Sequence, residues 1–317
     1  MPVNGFYLSQ GDNLFAFFPY SISLEKMIDV YAPLQDAKYD DPNLYKNFQH
    51  PLGFENYADA FFQKPFEVSF AFLYTLYKKV LLHQENGSEG GVLDWEEMCN
   101  LTLSKAPLEF ITLHAESKGQ TSMGKMVWPF RDSIYFFRLI KELEEAKINM
   151  KEVMRLLIDF SQKNENRTLI RNRVCERILK KQSILNLIES HVFHTDQSYI
   201  KPLVELVIQY EPIVRKGEGC MTIEEQSAAV TLGKRIGMVV GKEGKKGDLF
   251  ALRKARRKTD FLNELNRLQF KCQLTVPPDV YEGKLTDLNF IEFKQFCMIA
   301  ALNSFHAANQ SHKGEEA

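Results

Sequence analysis

The stretch that decides the fold lies near the end of the chain, where residues 288–309 read LNFIEFKQFCMIAALNSFHAAN. Wound as a helix, this segment places apolar side chains on most of its faces. A helix of that kind is buried among other elements rather than lying at a surface. We therefore predict that it forms the central helix of an α-helical bundle.

The chain that precedes this helix is also almost wholly helical, from about residue 149 onward. Thr222 and Thr259 stand where helix N-caps are expected. Gly233, Gly237 and Gly241 recur every four residues, a spacing that favours close packing of two helices. We predict a bundle over 149–310, a disordered tail over 311–317, and helices near 150–161, 166–191, 197–215, 222–241, 248–257, 259–272 and 287–309.

The first part of the chain, 1–148, has a mixed pattern. Two aromatic-rich runs surround the turn-forming residues 10–13, and β-rich runs at 108–117 and 122–130 predict a hairpin. Residues 67–84 are apolar on most faces and predict a buried helix. The expected fold class is therefore α+β, predominantly α, with a mixed N-terminal domain that contains a β-hairpin and a C-terminal α-helical bundle.

Composition excludes several classes of protein. The 317 residues are 44% hydrophobic, with a formal charge of −1, so the chain can bury a core. Neither a signal-peptide pattern nor an uncharged apolar run of about 20 residues is visible, so we expect no membrane partner. The five cysteines are widely spaced and form no CxxC pair, which suits a reducing compartment. We expect a cytoplasmic protein.

The near-neutral total hides an uneven charge distribution. Residues 1–150 carry 13 basic and 20 acidic groups, whereas residues 151–317 carry 27 basic and 21 acidic groups. Two stretches hold most of the excess: 163–181 has seven basic and two acidic residues, and 234–258 has ten and two. A polyanion is expected to meet this C-terminal half.

The second basic stretch is the most informative one, within GKRIGMVVGKEGKKGDLFALRKARRKTDFLNELNR (233–267). Glycines at 241, 244 and 247 would let backbone approach phosphates closely. The alternative is a solvated helix face with ordinary ion pairs, which the shortage of nearby acids disfavours. The candidate nucleic-acid-binding residues here are Lys234, Arg235, Lys242, Lys245, Lys246, Arg253, Lys254, Arg256, Arg257 and Lys258.

The first basic stretch gives a weaker signal. Arg167 and Arg171 are candidates for the same surface, but a solvated helix face explains them equally well. The loop sequence GKEG (241–244) matches the GxxG of KH domains, yet no strands flank it.

Chemistry-bearing motifs are missing from the sequence. His191 and His194 lack a third zinc ligand at matching spacing, and no phosphate loop, HExxH, GxSxG or carboxylate cluster is present. We therefore expect no catalytic residues, cofactor, metal or small-molecule substrate.

The order of elements in the C-terminal half resembles a known family. It runs AAVTLGKRIGMVV, a short loop, LFALRKARRKTDFLNELNRLQF, the extended VPPDVYEG, and the helix FIEFKQFCMIAALNS. Over about 221–305 this is similar to the C-terminal helical region of the large subunit of type I CRISPR Cascade complexes, of the I-A/I-B kind. A looser similarity covers 108–140, where PLEFITLHAES and MVWPF match a strand pair of that family.

The resemblance implies a non-catalytic subunit of an RNA-guided DNA-binding complex, with guide RNA, target DNA and other Cascade subunits as partners. In that family the helical region lies beside the displaced strand, and the N-terminal part helps to recognise the motif that flanks the target. The flanking-motif candidates here are Lys118, Gln120, Ser122 and Lys125. Large subunits are usually longer, so this short form suits a minimal or transposon-associated system.

Two other functions stay open at this point. The basic face could dock an acidic partner protein, which would make the chain an interaction scaffold. A nuclease whose site is assembled from distant residues is the other alternative.

Overall fold

The computed structural model describes residues 6–10, 13–19, 62–85, 110–118, 121–163, 166–195, 197–215, 220–278 and 280–315. These residues are predominantly helical and include one antiparallel sheet. The chain divides into two compact units, Met1–Lys180 and Lys181–Ala317. No helix among the described residues combines the length and the apolar character that a membrane span requires.

The sheet of the first unit has four strands in the order β1-β2-β3-β4. Their bounds are β1 (Phe6–Gln10), β2 (Asn13–Pro19), β3 (Phe110–Lys118) and β4 (Thr121–Phe130). Both predicted strand pairs are confirmed: Gln10 pairs with Asn13 at one turn, and Lys118 pairs with Thr121 at the other. The sheet is thus two hairpins joined by the antiparallel pairing of β2 with β3.

Four helices accompany the sheet among the described residues of the first unit. They are α1 (Pro65–Glu85), α2 (Ser133–Glu145), α3 (Met150–Leu156) and α4 (Leu169–Leu179). The predicted burial of α1 is confirmed by Phe72, whose ring stacks on Phe17 of β2 at 4.1 Å and meets Phe110 of β3 edge-on at 5.3 Å. The core of this unit therefore lies between α1 and the sheet.

The described part of the second unit is helical. It contains α5 (Leu185–His194), α6 (Lys201–Val214), α7 (Ile223–Glu243), α8 (Lys246–Lys254), α9 (Lys258–Cys272), a π-helical turn (Val280–Lys284) and α10 (Phe290–Glu315). The predicted apolar helix is α10, and it is buried along residues 296–302. A Cβ added at Gly233 would collide with the carbonyl oxygen of Cys297, and one added at Gly237 would collide with that of Ala301. The glycine face of α7 therefore packs against the backbone of α10, as the spacing predicted.

The prediction of a single helix over 166–191 is wrong, because the structure has two helices there, α4 and α5. Lys181 adopts a left-handed conformation (φ 54°) just after α4. The backbone N–H groups of Ile184 and Leu185 then donate to Oε1 of the buried Glu211, at 2.8 and 2.9 Å. A carboxylate that is distant in sequence thus satisfies the first donors of α5 and stabilises the break.

Two boundaries also lie elsewhere than the sequence placed them. The prediction divided the chain at 148/149, where the pattern becomes helical, whereas the compact units meet at 180/181. The reason is that α4 belongs to the first unit through a buried pair between Arg171 and Glu67 of α1. At the other end, α10 continues to Glu315, past the predicted end of the bundle at residue 310.

Candidate nucleic-acid interface

The basic stretch 234–258 occupies the end of α7, all of α8 and the start of α9. All ten of its cations are exposed or half-buried, and nine of them form no ion pair within the described part of the chain. These nine are Lys234, Arg235, Lys242, Lys245, Lys246, Lys254, Arg256, Arg257 and Lys258. The predicted concentration of unneutralised charge is therefore present on the second unit.

Three of these cations gather at the corner between α7 and α8. The two helices are separated only by Gly244 and Lys245, so Lys242, Lys245 and Lys246 follow one another around a tight connection. The position of Gly247 is open, with no atom within 4 Å of an added Cβ. We call this group of three lysines the first corner.

The buried acid that follows the first corner in sequence, Asp248, does not neutralise it. Asp248 is buried and accepts hydrogen bonds from the side chains of Lys271 (2.8 Å) and Arg267 (3.1 Å) of α9 and from the backbone N–H of Lys245 (3.0 Å). Burial alone would raise the pKa of Asp248, but these hydrogen bonds outweigh it and hold the pKa below its ordinary value. The carboxylate is therefore occupied inside the unit. Of the two acids in the stretch, only Glu243 is exposed.

His306 of α10 adds no positive charge to the first corner at neutral pH. Its partial burial and the charge of Lys246 both lower the pKa of the imidazole. The ring is therefore neutral near pH 7, and the positive charge of the corner comes from lysines.

A second corner joins α8 to α9 and carries Lys254, Arg256, Arg257 and Lys258. An α-helix rises 1.5 Å per residue, so α8 separates the two corners by about 13 Å. Each strand of B-form DNA carries a phosphate about every 3.4 Å along the axis, so the corners could contact phosphates about four nucleotides apart.

Arg253 is the exception among the predicted cations, and its assignment as a free phosphate contact needs correction. Its guanidinium forms a bidentate pair with the buried Glu189 of α5, at 2.6 and 3.1 Å, and lies 4.8 Å from the ring centre of Phe193. Bidentate pairing and stacking use the face and the donors that a phosphate would need. Arg253 therefore anchors α8 to α5.

Lys294 of α10 binds the end of α8, beside the second corner. The sequence did not reveal this role. Its ammonium donates to the carbonyl oxygens of Arg253 (3.2 Å) and Ala255 (2.7 Å), where α8 ends. A cation at this place satisfies the last carbonyls of a helix. The available signal was a lysine in the first turns of α10, just before its apolar run at 296–302.

The first basic stretch has a different environment, and the assignment of Arg171 to a nucleic-acid surface is wrong. Arg171 is fully buried, with its Nε 3.0 Å from Oε1 of Glu67 and its guanidinium 4.6 Å from the ring centre of Phe62. No strand could reach it. Arg167 lies before α4, where its Nε donates to the carbonyl oxygen of Gln162 at 3.2 Å.

The flanking-motif candidates lie at the hairpin of β3 and β4. Lys125 pairs with Glu116 across the two strands, with Nζ and Oε2 2.9 Å apart, so its charge is already compensated. Gln120 and the side chains of Lys118 and Ser122 lie outside the described residues.

Ligands for a metal do not converge anywhere in the described ranges, where no group of three His, Cys, Asp or Glu side chains is suited to hold an ion. His191 is buried in α5, and His194 contacts the carbonyl oxygen of Ser190 at the end of the same helix, at 2.5 Å. Comparison with protein-family models, with curated proteins and with solved structures gave no match. Among the described residues, the feature that bears on function is therefore the group of unpaired cations.

Proposed function

We propose that the chain is a non-catalytic, nucleic-acid-binding subunit of a cytoplasmic, RNA-guided complex of the type I Cascade kind. In this proposal the two corners of the second unit contact the phosphates of a target strand, and guide pairing reads the sequence. The mixed N-terminal part and the C-terminal helical bundle correspond to the two regions of the Cascade large subunit that the sequence resembles. Guide RNA, target DNA and other Cascade subunits are the proposed partners.

One observation carries the proposal: nine cations of a 25-residue stretch are without ion pairs in the described chain. Surface lysines and arginines that face acids contribute little to binding, because their charge is already compensated. Unpaired cations attract a phosphate backbone by releasing its counterions, whatever the base sequence. Phosphate contacts of this kind suit a subunit that binds a strand without recognising its base sequence.

The test compares the full chain with a variant that carries Lys242→Gln, Arg256→Gln and Arg257→Gln. Binding of a labelled single-stranded oligonucleotide is measured at several salt concentrations. On single strands each lost phosphate contact reduces the slope of log affinity against log salt by about 0.7. We expect weaker binding and a slope reduced by up to about 2.

The matched control removes the same charge elsewhere, through Arg138→Gln, Arg173→Gln and Lys201→Gln, three exposed cations outside the two corners. This variant should keep most of the affinity. Equal losses in both variants would contradict the proposed surface. So would a wild-type chain that binds no oligonucleotide but copurifies with an acidic protein, which would favour the scaffold alternative.

The assignment to a Cascade-type complex has its own test. RNA that copurifies with the tagged full chain from its native cells is sequenced. Guides that carry CRISPR repeat sequence would support the assignment, and RNA without repeat sequence, or no RNA, would contradict it.

A further inference from the structure

A row of uncharged side chains runs along the solvent-facing side of α9. Thr259, Asn263, Asn266 and Phe270 follow one another at intervals of four, three and four, so they share one helix face, and all four are exposed. The opposite face of α9 is buried and apolar, with Phe261, Leu265, Leu268 and Cys272. The packing of α9 in its own unit therefore does not use the row.

Phe270, at the end of this row, is 91% exposed. The other aromatic residue of α9, Phe261, is fully buried, so the helix already supplies one ring to the core. An exposed aromatic ring presents a face on which a base can stack, and the side chains beside it can form hydrogen bonds. Its neighbours Arg267 and Lys271 pair with Asp248. The turn around the ring, residues 267–273, contains no acidic residue.

The row begins at the second corner. Arg256, Arg257 and Lys258 immediately precede Thr259, and the acid in this turn, Asp260, accepts a hydrogen bond from the backbone N–H of Arg257 at 3.3 Å. The positive charge at this end is therefore in excess. Between Lys258 and Phe270 the helix rises by about 18 Å, at 1.5 Å per residue. At the 3.4 Å spacing of a stacked strand, that length corresponds to about five nucleotides.

We propose that this face of α9 binds the bases of a single-stranded nucleic acid whose phosphates are held by the second corner. Phe270 stacks on a base, which any base permits. The amides of Asn263 and Asn266 have both donors and an acceptor, so they can bond to the edge of any base and select no sequence. In a duplex the bases are stacked and paired, so the ring would find no free base face. The inference rests on the proposed function and adds that the strand is single and that its bases are contacted.

The experiment uses the full chain, a mixed-sequence DNA oligonucleotide, and an abasic strand of the same length that keeps the phosphates. Phe270→Ala should lower the affinity for the base-bearing strand by about 5- to 150-fold, the range found for loss of one base–aromatic stack. Its affinity for the abasic strand should not change. Phe270→Trp should retain binding to the base-bearing strand, because the indole ring of tryptophan can also stack on a base.

The matched control is Leu288→Ala, which removes another large apolar side chain of the same unit, one that is 99% exposed. It should leave both affinities unchanged. The inference is overturned if Phe270→Ala changes neither affinity, if it weakens both strands equally, or if Leu288→Ala has the same effect. In those cases salt-dependent binding of the abasic strand would still uphold the proposed function. A wild-type chain that binds neither strand would overturn both.

Discussion

The two basic stretches of this chain look alike in sequence and differ in the structure. In 163–181, Arg171 is fully buried and pairs with Glu67. In 234–258, nine cations reach solvent and have no ion pair among the described residues. The acids close to the first stretch in sequence do not reveal that Arg171 is buried and paired, because its partner Glu67 lies 104 residues away.

The difference has opposite consequences for stability and for binding. A buried charge that loses its partner is strongly destabilising, because nothing repays its desolvation. An exposed cation that is removed costs the fold little, but it takes a phosphate contact from a bound strand. Arg171 of the first stretch should therefore respond to mutation in unfolding experiments, and the nine unpaired cations of the second stretch in binding experiments.

The largest expected effect is at the buried pair. Glu67→Gln leaves the guanidinium of Arg171 without its counter-charge, so the free energy of unfolding should fall by about 3–5 kcal/mol. Urea unfolding followed by circular dichroism measures it. The double variant Glu67→Gln, Arg171→Met should recover part of the loss, since it removes the unpaired charge.

The control for this pair is Glu152→Gln, which breaks the exposed pair between Glu152 and Arg155 on α3. The free energy of unfolding should fall by less than about 1 kcal/mol in this variant. Equal losses at Glu67 and Glu152 would mean that Arg171 is not buried as described, and the contrast between the two stretches would fail.

The sequence was most informative where structure depends on local pattern. Turn residues beside aromatic runs predicted both hairpins, and the apolar α10 and the glycines of α7 predicted the packing of those helices. Contacts between distant residues were not predictable, because no local signal pairs Arg171 with Glu67, Arg253 with Glu189, or Glu211 with the start of α5. For the candidate site, the sequence therefore predicted the cluster of cations. It did not predict that one of them, Arg253, pairs with Glu189 inside the unit.

A second prediction concerns the helix that presents part of the exposed stretch. Gly237→Ala would place a Cβ against the carbonyl oxygen of Ala301, so α7 and α10 would have to move apart. The expected loss is about 1–3 kcal/mol in the free energy of unfolding, measured with urea.

Gly247→Ala is the matched control, because no atom lies within 4 Å of its added Cβ. Alanine favours a helix over glycine, so this variant should be unchanged or more stable by up to about 1 kcal/mol. A Gly237→Ala variant as stable as wild type would contradict the close contact between α7 and α10.

A smaller effect is expected at Asp248, the buried acid within the exposed stretch. Its pKa in the folded chain lies below the ordinary 3.8, so it contributes stability above that pH and loses the contribution as pH falls through its folded pKa. Asp248→Asn should cost about 1 kcal/mol near pH 7, because Arg267 and Lys271 are partly exposed.

Unfolding midpoints of this variant and wild type, compared from pH 7 down to about pH 3, measure the dependence. The difference between them should shrink only below about pH 4, where the wild-type carboxyl begins to gain its proton. A difference that stays constant across this range would show that the charge of Asp248 does not stabilise the fold.

The central claim is that a strand contacts the second basic stretch and not the first. Photo-cross-linking of the full chain to a single-stranded oligonucleotide that contains 5-iododeoxyuridine, followed by peptide mass spectrometry, tests it most directly. The account predicts cross-linked peptides within 242–270, including the one that contains Phe270, and none from α4. Cross-links concentrated in 163–181, or spread evenly over the chain, would contradict it.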